Sequence, residues 1–364
     1  MSRSPWLISA RQDLLWLHGS VVPALALLLL FKGLPVLTDA RYTVDHPALW
    51  LLLAWGVFFD GTHVIGTYAR TYLAPLQDRD CRAAAPGAQS LLWVASGPAI
   101  ALLDGWLLPQ YPSLLGQSGR LFQHFLLLAY LWAYYHLLRQ HYGFLVLYQR
   151  RLDRPIGARV DVALLWLAGL YPYLRYALSP AYLASGLPQP LPVAVLPTLR
   201  VLLDGAMALS LLLLLPHYLR RLRQQPVGPR ELFLLIVAVF HSLVFALLDH
   251  LLLITAVLTL FHNLQYHRIV WQYEQGRGRT PLASLGRYLG LGCLFGLLWY
   301  GPRILGVALV PPSLWRNVLL GLGWGIAFHH YAVDARIWRV RRTPSLAATL
   351  DRGAVSACNA GVTR

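Results

Sequence analysis

The stretch VVPALALLLLF, residues 21–31, runs eleven positions without one charged or hydrogen-bonding side chain. It is not alone. Leu211–Leu215 is unbroken leucine, and Leu251–Leu260 interrupts its aliphatic side chains only with Thr255 and Thr259. A helix needs about 20 mostly apolar residues to cross the hydrocarbon core of a bilayer, and segments of this kind recur along the whole chain. Of its 364 residues, 57% are hydrophobic and 13% charged, where soluble domains carry about 25% charged residues. Mean hydropathy is +0.51. The fold class that follows is all-α, a polytopic transmembrane helical bundle. Its ten expected spans cover roughly 14–36, 47–69, 90–109, 121–148, 160–179, 195–217, 231–248, 250–273, 284–309 and 315–335. No hydrophilic stretch is long enough for a second domain. Residues 1–342 therefore read as one transmembrane helical domain, and 343–364, small and polar, as a disordered cytoplasmic tail.

The net charge of +16 belongs to topology, not to nucleic acid. Arg3 and Arg11 precede the first span; Arg70, Arg79 and Arg82 follow the second. Arg150, Arg151, Arg154 and Arg159 follow the fourth, and Arg220, Arg221, Arg223 and Arg230 the sixth. Arg277, Arg279 and Arg287 follow the eighth; Arg339, Arg341 and Arg342 follow the tenth. All these connections fall on one side, so the positive-inside rule places both termini in the cytoplasm. An integral protein of a bacterial inner membrane is the expected setting. Lys32-Gly33-Leu34-Pro35 ends the first segment where a secretory signal would end in small residues, so this span is expected to be retained. Cys81, Cys293 and Cys358 form no CxxC and suggest no disulfide framework.

Against this apolar background, the histidines carry the chemistry. His63, His136, His141, His262, His267, His329 and His330 fall near the cytoplasmic ends of spans two, four, eight and ten. Ionisable groups in membrane spans are costly and mark function by default, and imidazole is the commonest transition-metal ligand in proteins. His124 and His250 fall toward the outer side, His18 and His46 lie near span one, and His217 and His241 read as packing residues. Asp104 and Asp204 read as structural partners of Arg200 or of water.

Helix geometry groups the candidates. Residues three or four apart share a face. Asp60 therefore projects with His63, Asp334 with His330, and Asn263 with His267, an arrangement suited to direct ligation or to carboxylates that orient imidazoles. The pairs His136-x4-His141 and His262-x4-His267 are less tidy. Five residues advance about 500°, so on an ideal helix the two rings point some 140° apart. Both members serve one site only across two metals or a helix distortion such as a π-bulge. Gln140, Tyr135, Tyr266 and Asn263 are expected to orient ligands or line a substrate pocket. The aromatics Tyr134, Tyr142, Trp271, Tyr273 and Tyr331 fit such a pocket or an interfacial belt equally well. Arg139 and Arg268 lie inside the histidine segments and read as snorkelling to headgroups, or as holding an anionic group.

A histidine-dominated site with carboxylates suits iron, zinc or copper. At the level of these motifs, His136-x4-His141, His262-x4-His267 and the adjacent His329-His330, the chain resembles the integral-membrane histidine-rich di-iron desaturases and hydroxylases. Their histidine boxes also sit at the cytoplasmic ends of membrane helices, and the bacterial membrane carotene oxygenases are similar in architecture. The resemblance is confined to the motifs. It implies two iron ions, a lipid or isoprenoid substrate entering from the bilayer, and a separate electron donor, since no glycine-rich dinucleotide motif is present. Two further readings use the same histidines: a metal-ion or proton-coupled transporter, and a haem-binding membrane protein. Polar groups gathered at one end favour a site over a transport path. Zinc and haem stand as alternatives to iron.

Overall fold

A computed structural model describes residues 4–34, 46–73, 87–110, 120–152, 157–185, 187–225, 227–277, 284–311, 313–338, 346 and 348–350. The chain is helical, with no strand among the described residues. In order, the long helices are α1 (Ala10–Gly33), α2 (Pro47–Ala69) and α3 (Leu91–Gln110), then α4 (Arg120–Arg151), α5 (Ala158–Ala177) and α6 (Leu196–Gln224). They are followed by α7 (Pro229–Leu247), α8 (Leu251–Arg277), α9 (Leu285–Leu309) and α10 (Leu314–Ile337). Six segments, lying in α1, α2, α3, α6, α7 and α9, are long and apolar enough to cross a membrane. Of the other four helices, α4, α8 and α10 bear six of the seven singled-out histidines, and α5 holds Arg159, Asp161 and Arg175. Polarity that serves a site lowers the hydropathy of the helix that carries it.

Several loop arginines behind the expected orientation (Arg79, Arg82, Arg154, Arg279, Arg339, Arg341 and Arg342) lie outside the described residues, as do Cys81, Cys358 and most of the 343–364 tail. Within that tail, Leu346 and Thr349 are buried, and Gln272 Nε2 donates to the Leu350 carbonyl at 3.1 Å.

The chain divides into two compact units, and the divisions fall inside α4 and α8. The first unit comprises residues 1–33 and 135–262. Here α7 packs on α1 and α5, and α5 on α6. Its core is side-chain filling: Leu17, Leu28, Leu138, Leu145, Tyr148, Leu165, Phe233, Phe240 and Phe261 are almost wholly buried. A buried ionic cluster ties α5, α6 and α7. Asp161 meets Arg221 and Arg230, and Glu231 meets the same two guanidiniums at 3.4 and 2.6 Å. The entry to α5 is a left-handed Gly157 (φ 74°), where a side chain would be strained and would also crowd Arg221. Asp13 accepts from the Leu7 and Ile8 amides and the Tyr148 hydroxyl at 2.7–3.1 Å. His18 faces the carbonyls of Asp13 and Pro229, both at 2.9 Å.

The second unit comprises residues 34–134 and 263–364, within which α3 packs along α10, and α9 along both α2 and α10. Backbone contact dominates. A Cβ on Gly97 would stand 2.0 Å from the Gly321 carbonyl oxygen, and one on Gly61 2.3 Å from the Gly296 Cα. Small residues let helices approach this closely, a packing favoured where lipid removes the hydrophobic drive between helices. Two of the helices in this unit carry a π-helical segment, Gly56–Asp60 in α2 and Leu103–Leu107 in α3. Asp60 closes the first; Asp104 lies in the second and accepts from the Phe122 amide at 3.1 Å, capping the start of α4.

Candidate metal centre

Each of the singled-out residues belongs to one of the two units. Asp60, His63, Asn263, Tyr266, His267, His329, His330 and Asp334 lie in the second; Tyr135, His136, Gln140, His141 and His262 lie in the first.

In the second unit, α2 presents Asp60, His63 and Thr67 from successive turns, and α10 presents His330 and Asp334 one turn apart. The two helices bring His63 Nε2 to 3.0 Å from His330 Nε2, with the rings nearly perpendicular. Asp334 Oδ2 stands 3.8 Å from His330 Nε2. All three side chains are buried.

Hydrogen-bond bookkeeping gives the protonation pattern of this cluster. His63 Nδ1 faces the Asp60 backbone carbonyl, which can only accept. His63 therefore carries its proton on Nδ1, and its Nε2 is a lone pair. Thr67 donates to Asp334 Oδ1 at 2.6 Å, and Tyr266 donates to the same oxygen at 2.8 Å. The Trp338 indole N–H reaches the Tyr266 hydroxyl at 3.3 Å. With its one hydrogen spent on Asp334, Thr67 Oγ1 accepts from His330 Nδ1 at 2.7 Å. His330 then also presents a lone pair at Nε2. In this assignment every donor has an acceptor, and two imidazole lone pairs face each other across 3.0 Å. Two such lone pairs repel unless a cation lies between them. Nitrogens that bind one metal at about 2.0–2.2 Å lie about 3 Å apart when they are adjacent in the coordination shell. By chemistry, a donor set of two imidazoles and a carboxylate suits a transition-metal ion.

Around this centre, Asp60 Oδ1 accepts from Asn263 Nδ2 at 3.1 Å and lies 3.8 Å from His63 Nδ1. Its cationic counterpart is Arg303 of α9, not Arg70, which is closer in sequence. Arg70 instead donates to the Ile337 carbonyl at 2.7 Å, lies over the rings of Tyr273 and Trp338, and supplies the positive charge near Asp334.

The other two singled-out histidines of this unit, His267 and His329, have both ring nitrogens engaged elsewhere. His267 meets the Thr62 hydroxyl at 2.9 Å and the Tyr288 hydroxyl at 2.8 Å. Thr62 spends its hydrogen on the carbonyls of Phe58 and Phe59, so it accepts from His267. His329 meets Tyr68 at 3.3 Å and Tyr72 at 3.0 Å and stacks on the Tyr72 ring. Adjacent on α10, His329 and His330 point to different partners.

In the first unit four histidines form two pairs. The His136 and His262 rings lie 5.3 Å apart, and those of His141 and His241 5.4 Å apart. Gln140 Nε2 donates to the His262 carbonyl at 2.8 Å, and Tyr135 stacks on Trp166. The α4 and α8 helices are regular α-helix through their His-x4-His segments. The members of each motif accordingly turn to different partners, as the 140° rotation requires. The π-helical distortion nearest the centre lies in α2, one turn before His63. Asp204 is held by Arg175 at 2.6 Å and by Tyr171, not by Arg200.

Sequence reading missed Thr67, Trp338, Arg303 and Tyr288. Thr67 was reachable, being four residues beyond His63 on the same face. The other three depend on which helices pack together. No protein-family model, curated protein or solved structure matches this chain.

Proposed function

We propose that the chain is a membrane-embedded non-haem iron oxidoreductase of the desaturase, hydroxylase or oxygenase class, acting on a lipid-phase substrate. On this reading all ten helices cross the bilayer, both termini are cytoplasmic, and one iron ion is held by His63, His330 and Asp334. The observation that supports it is the pair of imidazole nitrogens facing across 3.0 Å, with an aspartate at 3.8 Å. Two histidines and one carboxylate are the donor set of many non-haem iron oxygenases.

Bound iron would supply oxygen activation. The chain's own residues do the rest. Thr67 and Tyr266 hold Asp334 by its Oδ1, leaving Oδ2 directed toward His330. The Asp60 carbonyl fixes the tautomer of His63, and Thr67 fixes that of His330. Tyr266, Val270 and Tyr288, with Trp271 and Trp338 packed against them, form a buried cluster beside the centre. Haem fits less well. His63 Nε2 and His330 Nε2 stand 3.0 Å apart, and a macrocycle would need room between them.

The test is metal analysis of detergent-purified protein expressed with iron and zinc supplied. Iron near one equivalent in the native chain, lost in both His63→Ala and His330→Ala with melting temperature retained, is the expected result. Iron content unchanged by both substitutions would sink the reading. Zinc without iron would replace redox chemistry by hydrolytic or transport chemistry.

A further inference from the structure

His18 is 2% exposed, and both of its ring nitrogens face backbone carbonyls. Nδ1 meets the Asp13 oxygen and Nε2 the Pro229 oxygen, each at 2.9 Å. A carbonyl oxygen only accepts, and a neutral imidazole has one N–H to give. In either neutral tautomer, one nitrogen lone pair would point at a carbonyl oxygen within hydrogen-bond distance. The imidazolium, with an N–H on each nitrogen, satisfies both contacts. A second observation concerns charge. Asp13 is 0% exposed, and its carboxylate accepts from the Leu7 and Ile8 amides and the Tyr148 hydroxyl, none of them charged. Among the described residues no lysine or arginine pairs with it, and the cation that acts on it is His18. A buried carboxylate without a cation is costly.

We propose that His18 is held as an imidazolium and works as a proton-operated clamp between α1 and α7. Protonated, it ties the Asp13 turn of α1 to Pro229, the first residue of α7. It also balances the Asp13 carboxylate, which in turn holds the backbone at Leu7 and Ile8. Deprotonated, it keeps only one of the two carbonyls and leaves Asp13 without its cation. The contact is therefore present while the proton is bound and is lost as pH rises. The other groups around His18 offer no substitute. The Trp6, Tyr148 and Phe233 rings, at 6.3, 5.6 and 6.0 Å, enclose it without charge. Arg151 of α4 donates to the Leu7 carbonyl at 3.0 Å. Arg230 and Glu231, next to Pro229 on α7, are closed into the ion cluster with Asp161 and Arg221.

The clamp is independent of the iron reading, and metal content enters neither of its readouts. Full-length protein in detergent, labelled with nitrogen-15 at histidine, is followed by NMR from about pH 6 to about pH 10. His18→Gln identifies the His18 signals. Amide hydrogen exchange at Leu7 and Ile8 is measured on the same samples and corrected for the intrinsic effect of pH. At the acidic end both His18 nitrogens should carry protons. As that signature gives way to the neutral ring, the two amides should exchange about tenfold faster or more, the effect of losing a hydrogen bond to a charged group. In His18→Gln, a neutral side chain, no such step should appear. Asp13→Asn, which removes the anion, should lose the imidazolium signature at a lower pH than the native chain. A His18 signature that does not change over the range would reduce the contact to packing. So would amide protection that follows one course in the native chain and in His18→Gln. If His18→Gln does not fold, Asp13→Asn decides, and a His18 titration identical to the native one overturns the clamp.

Discussion

The two units solve one problem, polar groups inside an apolar protein, in opposite ways. The first unit neutralises charge by charge. Asp161, Arg221, Arg230 and Glu231 form a closed set of two anions and two cations, all nearly inaccessible. Its helices meet through large interlocking side chains. The second unit instead threads its polar groups into a directional chain, from Trp338 through Tyr266 and Asp334 to Thr67, His330 and His63. Its helices meet backbone to backbone at glycines. A closed ion cluster is a structural fastener, complete in itself. A directional chain that brings two imidazole nitrogens to 3.0 Å from each other is where the proposed ion would bind.

The contrast can be broken at its strongest point first. Asp161→Ala strips one anion from the closed set and leaves Arg221 and Arg230 under-compensated. Breaking a buried ion pair costs about 3–5 kcal/mol, so the variant should show a large drop in thermal midpoint in detergent. A change of under a degree or two would mean that the cluster is solvated, and the contrast would fail. Next comes Gly97→Ala, which forces a methyl group into the Gly321 carbonyl. Overpacking of this kind costs about 1–3 kcal/mol. Gly290→Ala in the same unit is the control, since a Cβ there meets nothing within 4 Å; it should be neutral or stabilising by up to about 1 kcal/mol. Similar melting curves for the two variants would remove the backbone-packing account.

Two smaller effects sharpen the directional chain. Thr67→Val removes the hydroxyl that joins His330 to Asp334 while keeping the shape. Loss of an orienting residue weakens metal binding by about 10–100-fold, readable by competition with a chelator; affinity equal to the native chain would refute the assigned proton pattern. The smallest effect is expected at Asp60→Asn. The acceptor for His63 Nδ1 is the Asp60 backbone carbonyl, which the substitution leaves in place. Metal affinity should fall by less than about tenfold, whereas Asp334→Asn should abolish it. Equal losses in the two variants would make Asp60 a ligand in its own right.

The helical segments were legible in the sequence because each is long and strongly apolar, and their bounds differ from the expected spans by a few residues at most ends. The place of each histidine along its helix was legible too. Rotation about each helix axis was not. His329 and His330 are neighbours in the sequence yet serve different partners, and His241, read as a packing residue, lies against His141. The 140° rule separated the members of each His-x4-His motif correctly but could not say which helix each would face. Arg303 stands near Asp60 and Arg70 near Asp334, because glycine contacts set which helices touch. Charge pairing along the sequence carries no trace of that.

The π-helical turn at Gly56–Asp60 can also be read as a matter of counting. One such turn holds one more residue than the α-helical turn it replaces. Everything downstream is thereby rotated by about 100° relative to everything upstream. In an uninterrupted helix Leu52, Trp55, His63 and Thr67, all buried, would spread over about 120° of arc, and the extra residue in the turn gathers them into about 80°. Deleting one exposed residue of that turn, such as Phe58, would let it close as ordinary α-helix with His63 and Thr67 still on their face, so the turn absorbs one residue without turning the site side chains away.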